Sequence, residues 1–175
     1  LTICRASPPE KETTAMPELI IEAPSPRQIL LRRHVPAPPA LVYRAHVDTA
    51  LIPQWMNVLP GWSMPVAETD PRPGGRFRFA WDDGTGKGFR IEGEYLEIEE
   101  GRRILHVERM FLPDPTPDNR VETRFDLTRG GTALSVLMTL PDPASVAAML
   151  QTGMTDGMEK TYDRLDLLLA QGTRQ

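Results

Sequence analysis

The side chains able to do chemistry in this 175-residue chain are few and widely spaced. His34, His46 and His106 are the three histidines, and no two share a spacing that would pair imidazoles on one helix face. A histidine metal site would need the fold to gather them, so no metal is expected. Cys4 is the single cysteine, which excludes an intrachain disulfide and a thiolate metal cluster and fits a reducing, cytoplasmic compartment. No G-x-S-x-G, H-E-x-x-H or C-x-x-C occurs, and nothing in the residues calls for a cofactor. The run Gly84-Thr85-Gly86-Lys87-Gly88 lacks phosphate-loop spacing and has no helix start behind it. It joins two alternating stretches and reads as a hairpin loop.

Two acidic constellations remain. Glu92 and Glu94 share one face of a strand, but Arg90 shares it too, which marks a solvated surface. His106 and Glu108 lie two residues apart in a second strand and could supply general acid and base groups. One face of that strand carries Ile104, His106, Glu108 and Met110, and the other Leu105, Val107, Arg109 and Phe111. Both faces mix polar and apolar residues, so periodicity alone does not choose the inward one. His34, beside Arg33 at a strand end, and His46, on a short helix, are expected at the surface. Met138, Met154 and Met158 suit core gaps. Trp55, Trp62 and Trp81 serve a core by default, and an aromatic-lined cavity would use the same residues.

The elements that would position these groups follow from composition and period. Twenty basic against 24 acidic residues leave a formal net charge of -4, without the basic excess of a nucleic-acid binder. No run approaches the ~18 apolar residues of a membrane span. Pro8, Pro9, Pro17, Pro24 and Pro26 crowd the first stretch, so residues 1–26 read as a mostly disordered leader and 27–172 as one domain. A strand through Ile29, Leu30, Leu31 and Val35 ends at Pro36. Pro39 then starts a short helix to Val47, and Asp48 caps a second through Trp55, with Pro53 as a local break.

Alternation dominates the next eighty residues. Phe77, Phe79 and Trp81 fall on one face and Arg76 and Arg78 on the other. Phe89, Ile91, Gly93 and Tyr95 alternate in the same way, and three further strands follow through Phe111, Leu127 and Met138. The total is seven strands, with short turns suited to an antiparallel meander. From an Asp142 cap, Val146, Leu150, Met154, Met158, Tyr162, Leu165 and Leu169 make the apolar stripe of one long terminal helix. Gly153 and Gly157 interrupt it, and close approach of the backbone to a sheet or ligand is the expected reason.

The ordered chain resembles a known family. Carrying the likeness are Val35-Pro36-Ala37-Pro38, Val42-Tyr43-Arg44-Ala45, Asp48, Trp55, Gly61-Trp62 and Asp70-Pro71-Arg72-Pro73-Gly74-Gly75-Arg76-Phe77. Gly93-Glu94-Tyr95-Leu96-Glu97-Ile98, Gly131-Thr132-Ala133-Leu134, Gly153-Met154 and Tyr162-Asp163-Arg164-Leu165 continue it. The chain is similar here to bacterial proteins grouped with the C-terminal domain of the activator of the heat-shock-protein-90 ATPase, in the START-like (SRPBCC) superfamily.

The resemblance implies an α+β helix-grip fold, a curved seven-stranded antiparallel sheet in the order β-α-α-β6-α around a long C-terminal helix. It further implies a cavity between sheet and helix, with Phe77, Phe79, Trp81, Ile91, Tyr95, His106, Glu108, Met138, Met154 and Met158 facing in. The positions of His106 and Glu108 are commonly aromatic or aliphatic in relatives, so they would form a polar pair in an apolar pocket. The leading functional expectation is a soluble protein that binds a small hydrophobic or amphipathic molecule. A cyclase- or hydrolase-type enzyme using His106 and Glu108 comes second, and a chaperone-ATPase modulator third. A homodimer suits this branch of the superfamily.

Overall fold

The computed structural model describes residues 18–172, so Cys4 and most of the expected leader lie outside the described residues. The strands are β1 (Ile20–Glu22), β2 (Gln28–Val35), β3 (Ser63–Thr69), β4 (Arg76–Asp82), β5 (Gly88–Glu99), β6 (Arg103–Phe111), β7 (Asn119–Thr128) and β8 (Gly131–Thr139). The helices are α1 (Pro39–Val47), α2 (Ile52–Met56), α3 (Pro143–Gln151) and α4 (Met154–Gly172). The fold is α+β, with one open antiparallel sheet ordered β1-β2-β8-β7-β6-β5-β4-β3.

The sheet has eight strands where seven are expected. Ile20–Glu22 falls within the stretch read as leader, yet Ile21 pairs with Leu31 and Ile20 with Arg32 at the sheet edge. Three residues are too few to show a period, so only the partner strand reveals this one. The remaining strands follow the expected alternation. Phe77, Phe79 and Trp81 are buried on β4 while Arg76 and Arg78 are exposed. The meander runs from β3 to β8, and β8 then pairs with β2 over its full length, Gln28 against Thr139 through Val35 against Thr132.

Pro39 occupies the first turn of α1, where its missing N–H costs nothing. Pro53 holds the same kind of position in α2, so it begins that helix and does not break it. Asp48 acts ahead of α2 through a turn, accepting from the Ala50 N–H at 2.9 Å. Trp55 packs inward and donates its indole N–H to the Ala45 carbonyl at 2.9 Å, which ties α2 to α1.

The expected single terminal helix is two. Asp142 caps α3 as its residue type suggests, accepting from the Ser145 N–H at 2.7 Å. The helix then ends at Thr152, and Gly153 takes a left-handed φ of 74°. Gly153 is therefore a stop signal, while Gly157 sits inside α4 with nothing within 4 Å of where a Cβ would stand. Neither glycine serves a close approach.

Helix α4 crosses the inward face of the sheet. Leu165 is fully shielded, and Tyr162 and Leu169 are buried beside it, against a core that includes Ile29, Leu31, Phe125, Leu134 and Val136. A polar clamp fixes the helix on this face. Arg33 lies on the inward side of β2, in step with Ile29, Leu31 and Val35, and donates to Asp163 at 2.6 Å and Asp166 at 2.7 Å. No helix of the described residues is long and apolar enough to cross a membrane.

Candidate functional site

Between α4 and the sheet a cavity of about 180 Å³ remains. Its floor is the inward face of five adjacent strands: Phe77 and Phe79 from β4, Ile91 and Tyr95 from β5, Ile104, His106 and Glu108 from β6, Val121 and Thr123 from β7, and Val136 and Met138 from β8. Its roof is Met158, Thr161 and Tyr162 of α4. His46 of α1 and Trp55 and Met56 of α2 close one end.

Period two delivers the floor. On neighbouring antiparallel strands, Phe79 pairs with Ile91, Ile91 with Met110, and Tyr95 with His106, so inward residues fall in register. Gly93 sits opposite Phe77 and carries no side chain there. A Cβ at Gly93 would stand 2.3 Å from the Phe77 ring and 2.4 Å from the Val107 carbonyl. The glycine thus lets the ring lie flat across β5, where it stacks on Phe79 at 5.2 Å and meets His106 edge-on at 5.0 Å.

Of the twelve residues expected at a ligand site, Trp55, Phe77, Phe79, Ile91, Tyr95, His106, Glu108, Met138 and Met158 line this cavity. Trp62, Trp81 and Met154 do not. Trp81 stacks on Phe89 at 4.6 Å, and Trp62 packs on the same Phe89 at 5.8 Å, so both tryptophans belong to a cluster beyond the cavity wall. Met154, one turn before Met158, packs against the rim of the core.

His46 is the residue that sequence reading placed wrongly. It does not project to the surface. Its ring packs against Trp55 at 4.8 Å and Phe125 at 5.1 Å and lines the cavity. Helical spacing from the buried Val42 and Ala45 is the one signal that could have placed it inward. Its Nδ1 bonds the Val42 carbonyl at 2.7 Å, and its Nε2 is buried with no partner. Burial lowers its pKa to about 4, which the Val42 bond only partly opposes, so the ring is neutral at neutral pH.

His106 and Glu108 both face inward, with their side chains 14% and 23% exposed. His106 Nε2 bonds a Glu108 carboxylate oxygen at 3.1 Å, and Asn119 Nδ2 donates to the other at 3.3 Å. His106 Nδ1 is buried with no partner. Two tyrosines add to the polar lining. Tyr95 shares a 2.7 Å hydrogen bond with Thr69, and burial pushes its pKa up to about 12. Tyr162 stacks on Trp55 at 6.0 Å, and burial likewise raises its phenol, with Glu108 adding to the effect. Both phenols stay protonated across the physiological range.

A larger depression, about 660 Å³, lies on the opposite, solvent-facing side of β4, β5 and β6. Some of its charges are paired: Arg78 meets Glu92 at 3.5 Å and Arg109 meets Asp118 at 2.6 Å. Glu92 belongs to this surface, as the nearby arginines suggested, and Glu94 is exposed there. Among the described residues, no three His, Cys, Asp or Glu side chains gather into a metal-binding group.

No curated protein matches the chain. Solved structures do. A Rhodobacter sphaeroides protein, 27% identical, superposes with a TM-score of 0.80 over 87% of this chain and 98% of its own. A Chromobacterium violaceum protein, 26% identical, gives 0.66 over 83% and 98%. A Nitrosomonas europaea protein, 24% identical, shares the fold at 0.76 over 87% and 100%. The family model described as "Activator of Hsp90 ATPase homolog 1-like protein" matches residues 36–170, from the end of β2 to the last turn of α4. The chain therefore belongs to this family and carries its START-like fold.

Proposed function

We propose that this protein binds a small hydrophobic or amphipathic molecule in the cavity between the sheet and α4. The observation that carries the reading is the character of that cavity. Its walls are mostly aromatic and aliphatic, with a few polar residues among them, Glu108, Thr123 and Thr161 included. An apolar hollow with a few convergent polar atoms is the usual form of a small-molecule site. Size restricts the occupant: a hollow of roughly 150 Å³ holds one benzene ring, and this one is about 180 Å³. The space suits a single ring or a short chain as the part of the ligand held between sheet and helix.

The direct test is native mass spectrometry and solvent extraction of the purified protein, followed by thermal-shift titration with single-ring and short-chain compounds. Binding should raise the melting temperature in a saturable way. Thr161→Trp, which places an indole on the roof from a partly exposed helix position, should abolish that shift while the free protein still melts cooperatively. If the wild type shows no saturable shift with any compound, the reading is wrong.

The His106–Glu108 hydrogen bond favours a second reading, in which the pair performs acid–base chemistry on the bound molecule. Recovering the ligand after incubation separates the two. An unchanged molecule indicates a receptor, and a chemically altered one that persists intact with Glu108→Gln indicates an enzyme.

A further inference from the structure

We propose that the Tyr162 hydroxyl anchors the ligand by donating a hydrogen bond to an oxygen on it. The occupant of the cavity is then an oxygenated ring or short chain, in the simplest case a ketone or aldehyde, and not a plain hydrocarbon. The proposal rests on the receptor reading above and specifies the chemistry of its ligand.

Most polar side chains of the lining are already committed within the protein. The Trp55 indole N–H goes to the Ala45 carbonyl, the Thr161 hydroxyl to the Gly157 carbonyl, and the Tyr95 hydroxyl pairs with Thr69. Both Glu108 carboxylate oxygens have partners, in His106 and Asn119. The two spare imidazole nitrogens, His46 Nε2 and His106 Nδ1, are sealed within the walls and out of a ligand's reach. Two hydroxyls are left, Tyr162 on the roof and Thr123 on the floor, and neither has a hydrogen-bond partner among the described residues.

Tyr162 is 4% exposed, and its phenol lies deep in the protein, where the charges of Arg33 on β2 and Glu108 on β6 both act on it. Yet its hydroxyl is not sealed as the imidazole nitrogens are. The free surface of an oxygen at such depth borders an internal hollow, and the hollow that this residue roofs is the cavity. A buried tyrosine hydroxyl normally finds a partner. Burial keeps this phenol protonated, so it meets a ligand as a donor. A ligand oxygen that accepts from it removes the cost of an unpaired polar group, whereas a hydrocarbon leaves that cost in place. The Thr123 hydroxyl is aliphatic and less acidic than a phenol, so it comes second as a donor.

Calorimetric titration of the full chain with cumene and acetophenone tests the inference, because the two are close in size and shape and differ in one carbonyl oxygen. Tyr162→Phe should weaken acetophenone about tenfold and leave cumene within about twofold, and Thr123→Val should change either probe by less than about threefold. Isotope-edited infrared spectra give a readout that needs no variant: the carbonyl stretch of acetophenone bound to the wild type should lie below its position in hexane. Three results would overturn the anchor while cumene binding to the wild type kept the receptor reading intact. They are equal effects of Tyr162→Phe on both probes, a loss of acetophenone affinity confined to Thr123→Val, and a hexane-like carbonyl band. Failure of both probes to bind the wild type would overturn both.

Discussion

Arg33 of β2 and Asp166 of α4 meet at 2.7 Å across 133 residues of sequence, with the guanidinium side chain 0% and the carboxylate side chain 6% exposed. Burial works against the Arg33 charge, but Asp166 and Asp163 outweigh it and hold the guanidinium above its ordinary value. For Asp166 burial is the larger influence and lifts its carboxyl above the usual range in spite of Arg33. The two charges are thus tolerable only together, and they lock the helix that roofs the cavity.

Removing one partner should be costly. Asp166→Ala leaves the guanidinium facing only the half-exposed Asp163 and should destabilise the fold by about 3–5 kcal/mol in urea denaturation. Asp163→Ala should cost less, because that carboxylate is partly exposed and Asp166 still pairs the guanidinium. Arg33→Met combined with Asp166→Leu should recover most of the loss, since the pair is then replaced and not broken. Equal losses for the two single aspartate variants would contradict a buried clamp.

His46 should make stability depend on pH. Its folded pKa is about 4, against about 6.5 in an unfolded chain. Between these values the unfolded state binds a proton that the native state does not, so unfolding free energy rises with pH across the window. The stabilisation is complete above about pH 6.5 and is lost as pH falls toward 4, with a size on the order of 3 kcal/mol. His46→Phe keeps ring contacts with Trp55 and Phe125 and should flatten this part of the stability–pH curve. Parallel curves for wild type and variant would show that His46 is solvated.

The two glycines near the start of α4 should respond oppositely to alanine. Gly157 is helical with open space around it, so Gly157→Ala should stabilise by about 0.5–1 kcal/mol. Gly153 has a φ of 74°, so Gly153→Ala should destabilise by about 1–2 kcal/mol. Denaturant midpoints at constant slope check both signs, and a stabilising Gly153→Ala would mean that α3 and α4 join as one helix.

Gly93→Ala tests the floor of the cavity. The added methyl collides with the Phe77 ring and the Val107 carbonyl and should destabilise by about 1–3 kcal/mol. Phe77→Leu in the same chain should relieve only part of this, because the carbonyl contact belongs to the backbone. Full recovery in the double variant would assign the whole conflict to the ring.

The floor of the site was legible because strand period is a local property. Phe77, Phe79, Ile91 and Tyr95 follow from alternation between charged and aromatic neighbours, and the resemblance oriented His106 and Glu108 where alternation was ambiguous. Alternation could not show where the inward face stops bordering empty space. Trp81 shares its face with Phe77 and Phe79 yet stacks on Phe89, because only the course of α4 decides which inward side chains it leaves uncovered. His46 escaped for a related reason. A nine-residue helix offers a weak period, and a histidine on it reads as polar until an aromatic pocket encloses it.

By itself, the sequence determined the antiparallel meander, the Asp142 cap, the proline-led start of α1 and the inward aromatic stripe. Each depends on residues within a few positions of one another. Only the tertiary structure decided that β1 completes the sheet, that Arg33 turns inward to Asp166, and that His46 and His106 share one hollow. These relationships join residues far apart in the chain, and their energetics arise only when folding removes the water between them.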